Sequence, residues 1–223
     1  MAFIIGFLQD LAQSLIALFV ILNPIGNIPF YQGVTASATA DQRKAVARKA
    51  VIVVVIVLFV FAYLGDAILG ALQITLNYVM IAGGLFIVVF AVKDAATGSM
   101  SNEPTAATRK RSGGLLGADL DRIAVFPIAI PLLAGPGAIA TVMVLNHPAY
   151  GAAKSLLDFS TGLAIVIDCF IVWLLFILSD RLVRHFKPSI MLIIGKVMDI
   201  LMGAIGISFL IRGALAIFGL VSV

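Results

Sequence analysis

Charge is scarce in this chain, and two long stretches have none at all. Only 12% of its 223 residues are Asp, Glu, Lys or Arg, against 62% hydrophobic residues and a mean hydropathy of +1.16. That is too little charge to cover a soluble surface, so an integral membrane protein is expected. Cysteine occurs once, as Cys169 within an apolar run. An intrachain disulfide is therefore impossible, and a thiolate metal site is not suggested. A Walker-type phosphate loop is missing, which argues against direct use of ATP. Paired histidines and a nucleophile elbow are missing too, so no enzyme, no cofactor and no metal are expected. The N-terminus has no basic region ahead of its apolar run, which makes that run a first span rather than a cleaved signal.

What charge there is has a pattern. The net charge is +4, yet the basic residues stand in loops beside apolar spans, which excludes a nucleic-acid-binding face. Six spans can be drawn from the hydropathy pattern. They cover about Phe7–Val34, Val46–Leu64, Leu76–Val92, Ile123–Leu145, Phe159–Leu178 and Ile200–Val221. Loops one-two, three-four and five-six hold 13 of the 15 basic residues. Lys and Arg accumulate on the cytoplasmic side, so these loops are expected there, in the cell membrane, with both termini outside. The polar connection Lys93–Arg122 divides the chain into residues 1–92 and 123–223. Three spans in each part force the second into the opposite orientation. The expected fold is therefore all-α, with two inverted three-helix repeats.

Helix breakers interrupt the two uncharged stretches. No acid or base occurs between Asp10 and Asp41, yet Asn23-Pro24-Ile25-Gly26-Asn27-Ile28-Pro29-Phe30 lies between them. As one helix this stretch would reach about 45 Å, beyond a hydrocarbon core of about 30 Å. Proline lacks a backbone N–H and frees a carbonyl. In lipid such a break survives only against protein or a wet cavity. The second uncharged stretch, between Arg122 and Lys154, is broken at Leu133-Ala134-Gly135-Pro136-Gly137-Ala138-Ile139. Pro136 follows Arg122 at the same interval as Pro24 follows Asp10. Two broken spans at matching places point to a transporter's binding site.

The chain resembles the MarC family of six-span membrane proteins. The resemblance rests on Asn23-Pro24-Ile25-Gly26-Asn27-Ile28-Pro29, on Ile81-Ala82-Gly83-Gly84, and on the run from Pro127 to Ile139. It covers nearly the whole chain, with Met80 standing where the family pattern often has Arg. It implies a secondary transporter of small neutral amino acids such as glycine and alanine, coupled to a proton or cation. The partners would be that solute, the coupling ion and the bilayer. A channel, or an efflux or regulatory membrane protein acting on another small solute, is the alternative.

A zwitterionic solute needs partial positive charge for its carboxylate and acceptors for its ammonium. A helix start supplies the first through free N–H groups and its dipole, and a helix end supplies carbonyls. The candidate binding residues are Asn23, Pro24, Gly26 and Asn27 at the first break, and Gly135, Pro136, Gly137 and Ala138 at the second. The Asn23 and Asn27 amides suit a solute and suit capping of the break equally. Asp168, an isolated acid in the fifth span, is the candidate coupling group; its structural reading is a buried partner, for instance of Arg212. Lys196 and Asp199 read as a helix-surface ion pair at a span entrance. Gly203 and Gly206 read as a close helix contact.

Overall fold

The computed structural model describes residues 2–97, 121–147, 154–185 and 188–219. Most of the expected connection, residues 98–120, lies outside this set, as does the end of the chain at Val221. The described residues form eight helices and no strand. They are α1 (Ala2–Leu22), α2 (Ile28–Val34), α3 (Ala40–Leu72), α4 (Leu76–Thr97), α5 (Ala124–Leu133), α6 (Pro136–Leu145), α7 (Lys154–His185) and α8 (Pro188–Ile217). Five of them, α1, α3, α4, α7 and α8, are long and apolar enough to cross a membrane; α5 and α6 together make a sixth, bent by 59°.

Local chemistry sets the helix ends. Thr39 starts α3 with a capping box: its hydroxyl accepts from the Gln42 N–H at 3.3 Å, and its own N–H donates to Gln42 Oε1 at 2.8 Å. Gln73 ends α3 in the left-handed region, with φ 56°, and its N–H donates to the Gly70 carbonyl at 3.2 Å. The helices outrun the expected spans because their polar flanks stay helical. Thus α4 takes in Lys93 and Asp94, and α8 starts at Pro188, well ahead of Ile200. The first break also differs from the sequence expectation. At 21 residues, α1 is no half-helix and is long enough to cross by itself, whereas α5 and α6 have 10 residues each.

Packing joins the two parts of the chain. The most extensive contact is between α4 and α8; α3 lies against α7, α1 and α2 against α7, and both α5 and α6 against α3. Glycine makes the α4–α8 contact close. A Cβ on Gly84 would stand 2.6 Å from the Gly206 carbonyl, and one on Gly206 would stand 2.9 Å from the Gly84 carbonyl. Gly203 has only the Ala91 methyl, at 3.5 Å, so it is Gly206 rather than Gly203 that brings these helices together. Leu18, Leu22, Ile28, Leu58, Met80 and Ile165 are buried between helices, while Ile16, Ile56, Ile193 and Ile200 face outward. Such an apolar exterior suits lipid rather than water.

A polar cluster ties down the short α2. Arg43 forks onto Asp180 at 2.9 and 3.1 Å, and Gln32 donates to the same carboxylate at 3.3 Å. The Tyr31 hydroxyl donates to the Arg43 carbonyl at 2.7 Å, and its ring stacks on Phe176 with centroids 4.4 Å apart. At the same end of α3, Lys49 pairs with Asp121, just ahead of α5. The two α3–α7 and α3–α5 ion pairs thus gather the start of α3, the end of α7 and the approach to α5 at one end of the bundle.

Overpacking a helix contact costs about 1–3 kcal/mol. Gly84→Ala should therefore lower stability by about that amount, because its methyl meets backbone. Gly203→Ala should be neutral or slightly stabilising, since Ala in place of Gly favours a helix by about 0.5–1 kcal/mol. Thermal unfolding of both variants in detergent checks the contrast; equal stability would overturn the assignment of the close contact.

Candidate functional site

The two interruptions are built differently. At the first, Asn23 turns the chain into the left-handed region with φ 41°, a conformation Asn tolerates better than most residues. Its Oδ1 accepts from the Gly26 N–H at 3.2 Å. Asn27 donates from Nδ2 to the Leu22 carbonyl at 2.8 Å, and its N–H donates to the Asn23 carbonyl at 3.0 Å. The Leu22 carbonyl is one that the end of α1 would otherwise leave open. Both amides are buried, and both seal the break, so the capping reading describes their observed bonds. Gly26 leaves room for this amide, because a Cβ there would lie 2.6 Å from the Asn23 amide atoms.

At the second interruption the backbone is left open. Prolines 127 and 131 push the residues before them out of the helical region, to φ −132°, ψ 120° at Phe126 and φ −127°, ψ 126° at Ile130. The chain closes α5 with a wide turn, in which the Ala134 N–H donates to the Ala129 carbonyl at 2.8 Å. Gly135 is then extended, and Pro136 opens α6 at its first position, where no N–H is needed. The first helical bond of α6 runs from the Ile139 N–H to the Gly135 carbonyl at 3.0 Å. The helix therefore offers no partner to the N–H groups of Gly137 and Ala138. No side chain caps this end.

The two interruptions meet on one cavity of about 50 Å³. One water needs roughly 10–15 Å³ measured this way, so the space admits a few waters or a solute of a few heavy atoms. Asn23 and Asn27 line it from the first break, and Gly135, Pro136, Gly137 and Ala138 line it from the second. Pro24 and Gly26 do not line it; they shape the turn behind the wall. The remaining wall is largely apolar, with Phe86, Ile87 and Phe90 of α4 and Met202 of α8. Asp94, one turn beyond Phe90, also lines it.

Asp94 and its neighbours were not legible as a site in the sequence. Asp94 is 6% exposed, and among the described residues its Oδ1 has no hydrogen-bond partner. Lys196 of α8 donates to the Asp94 backbone carbonyl and approaches Asp199 Oδ2 at 3.8 Å. Asp199 is 5% exposed and accepts from Asn23 Nδ2 at 3.5 Å. The expected surface pair is thus corrected: Asp199 faces inward, because the Asn23 amide and Lys196 both bind it there. Asp168 lies apart from the cavity lining. It is buried on α7, with its Oδ2 unpartnered among the described residues.

A model of the family described as "MarC family integral membrane protein" matches residues 8–218. The chain belongs to the MarC family. Among curated relatives of this MarC chain is the UPF0056 membrane protein YhcE of Escherichia coli, 32% identical over 91% of both chains. A UPF0056 membrane protein of Archaeoglobus fulgidus is 30% identical over 94% of both. YvbG of Bacillus subtilis is 30% identical over 91% of this chain and 93% of its own. No solved structure matches. The MarC family assignment makes this an integral, multi-pass membrane protein, in accord with its helices.

The wall also fixes what Gly137 does. A Cβ there would stand 2.6 Å from Ile87 Cγ1, so the glycine lets α6 approach α4 before it offers space to a solute. Gly137→Val should lower stability in detergent by about 1–3 kcal/mol, and adding Ile87→Ala should recover most of that loss. Unfolding curves of the single and double variants check it. Additive rather than compensating losses would overturn the contact.

Proposed function

We propose that this MarC family chain is a secondary transporter of small neutral amino acids of the glycine or alanine size, coupled to a proton or cation. The observation that carries the reading is the meeting of two interrupted helical segments, one from each half of the sequence, on one small cavity. The open N–H groups of Gly137 and Ala138 suit the solute's carboxylate, and the dipole of α6 adds to them. A cavity of about 50 Å³ suits a solute of few heavy atoms.

The pairing of helices supports two inverted repeats, one of α1–α4 and one of α5–α8. In a pseudo-two-fold arrangement the second span of one repeat meets the second of the other, and the third meets the third. Those are the α3–α7 and α4–α8 contacts. The first span of each repeat then meets the second of the other, as α1 meets α7 and as α5 and α6 meet α3. On this reading the basic loops face the cytoplasm and both termini face outward. Single cysteines at Ser101 and Ser189, in a Cys169→Ser background, should label only from the cytoplasm, and one at Ala152 only from outside. Labelling of Ser101 and Ala152 from the same side would overturn the inverted topology.

Asp168 is the candidate coupling group, buried and apart from the solute cavity. Purified protein in liposomes should accumulate radiolabelled glycine or alanine when a proton or sodium gradient is imposed. Asp168→Asn should retain equilibrium binding and lose most gradient-driven uptake. Absence of saturable uptake by the native chain, or large unitary currents, would replace the carrier with another function.

A further inference from the structure

We propose that Asp94 is the acceptor for the ammonium group of the solute, making the cavity a two-pole site for a zwitterion. The inference rests on the transporter reading and extends it to a residue on α4 outside both interruptions.

The geometry follows from how α6 lies on α4. A Cβ on Gly83 would fall against the Ala140 methyl, and one on Gly137 against Ile87. Position 83 thus meets 140 and position 87 meets 137, so the two helices run antiparallel. The start of α6 therefore points along α4 toward its C-terminal end. The 59° bend carries α5 away from that line, and α5 packs against α3 instead. The face of α4 beyond Ile87 is left fronting the cavity. Ile87, Phe90 and Asp94 follow one another at helical spacing on that face, and all three line the cavity. The helical rise from Ile87 to Asp94 places the second Cα about 10 Å past the first. Two charge-assisted hydrogen bonds of about 2.8 Å each leave room between the poles for an amino acid backbone.

The charges agree with this. Asp94 and Asp199 are both buried, and the Lys196 ammonium approaches Asp199 Oδ2 but donates to the backbone carbonyl of Asp94 rather than to its carboxylate. A buried carboxylate oxygen is costly unless it is hydrogen-bonded. The unpartnered atom is Asp94 Oδ1, in the residue that lines the cavity. A hard cation such as Ca²⁺ or Mg²⁺ asks for six or more oxygens, whereas an ammonium asks for two or three acceptors. A carboxylate at one end and bare N–H groups at the other select for a molecule carrying both charges.

The test compares alanine with propionate, which lacks only the amino group, by displacement of radiolabelled alanine from purified protein in detergent. The native chain should prefer alanine to propionate at least tenfold. Asp94→Asn should weaken alanine about 10- to 100-fold while changing propionate less than threefold, so the preference collapses. Asp94→Glu keeps the charge but shortens the cavity by one methylene, and should weaken alanine more than glycine. It serves as the second variant should Asp94→Asn fail to fold, with thermal unfolding reporting that. Parallel weakening of alanine and propionate would make Asp94 structural and overturn the proposal. So would native alanine binding in Asp94→Asn, including a variant that binds alanine normally and loses only the ion dependence of uptake. If the native chain binds no amino acid, the transporter reading falls and takes this one with it; if it binds alanine and Asp94→Asn binds equally, only the role of Asp94 falls.

Discussion

A peptide N–H or carbonyl facing hydrocarbon without a partner costs several kcal/mol, and the architecture here follows from where that cost is met. Around the cavity the chain interrupts its helices twice and answers the cost in two ways. After α1 two asparagine side chains close the turn, so the backbone there is spent on itself. Before α6 two prolines and one glycine shape the turn with no side chain closing it. The N–H groups of that turn stay open because they front a cavity rather than lipid. One interruption is sealed and the other is available, although both read as helix breakers.

Much of this was legible in the sequence because helix breakers are conspicuous in a run without charge. The two uncharged stretches, the prolines and the glycines located six of the eight candidate residues on the cavity wall. The matching of Gly206 with Gly84 was legible only in part, since spacing shows that small residues share a face but not which one touches backbone. Asp94 and Asp199 were missed for a single reason. Charges in a hydropathy profile are read as the ends of spans, so Lys93 and Asp94 were assigned to a loop and Lys196 and Asp199 to a helix entrance. A charge stays in a helix interior when a specific partner holds it there. Asn23, which supplies that partner for Asp199, is 176 residues away in sequence. Long-range pairing of this kind leaves no periodic trace.

Charge placement also separates two buried acids that look alike by composition. Asp168 and Asp94 each have a buried oxygen without a partner among the described residues. Asp94 sits on the cavity with Lys196 and Asp199 as neighbours, while Asp168 sits on α7 away from the cavity lining. The two acids therefore differ in location, one lining the cavity and the other buried on α7 away from it.

The fastening of α2 has a mechanical consequence. Stacking on Phe176 and the bonds that join Tyr31, Gln32, Arg43 and Asp180 make this short helix part of the α3–α7 block. Since α1 also packs against α7, the segment between α1 and α2 is held by the same block on both sides. Its backbone bonds run both ways, since the Asn23 N–H donates to the Phe19 carbonyl of α1 at 3.1 Å and the Asn27 carbonyl accepts from the Tyr31 N–H of α2 at 3.0 Å. From this segment the Asn23 side chain also reaches α8, donating to Asp199 at 3.5 Å. Asn23 thus ties the junction of α1 and α2 to Asp199, and through the Lys196 ammonium to the Asp94 backbone on α4.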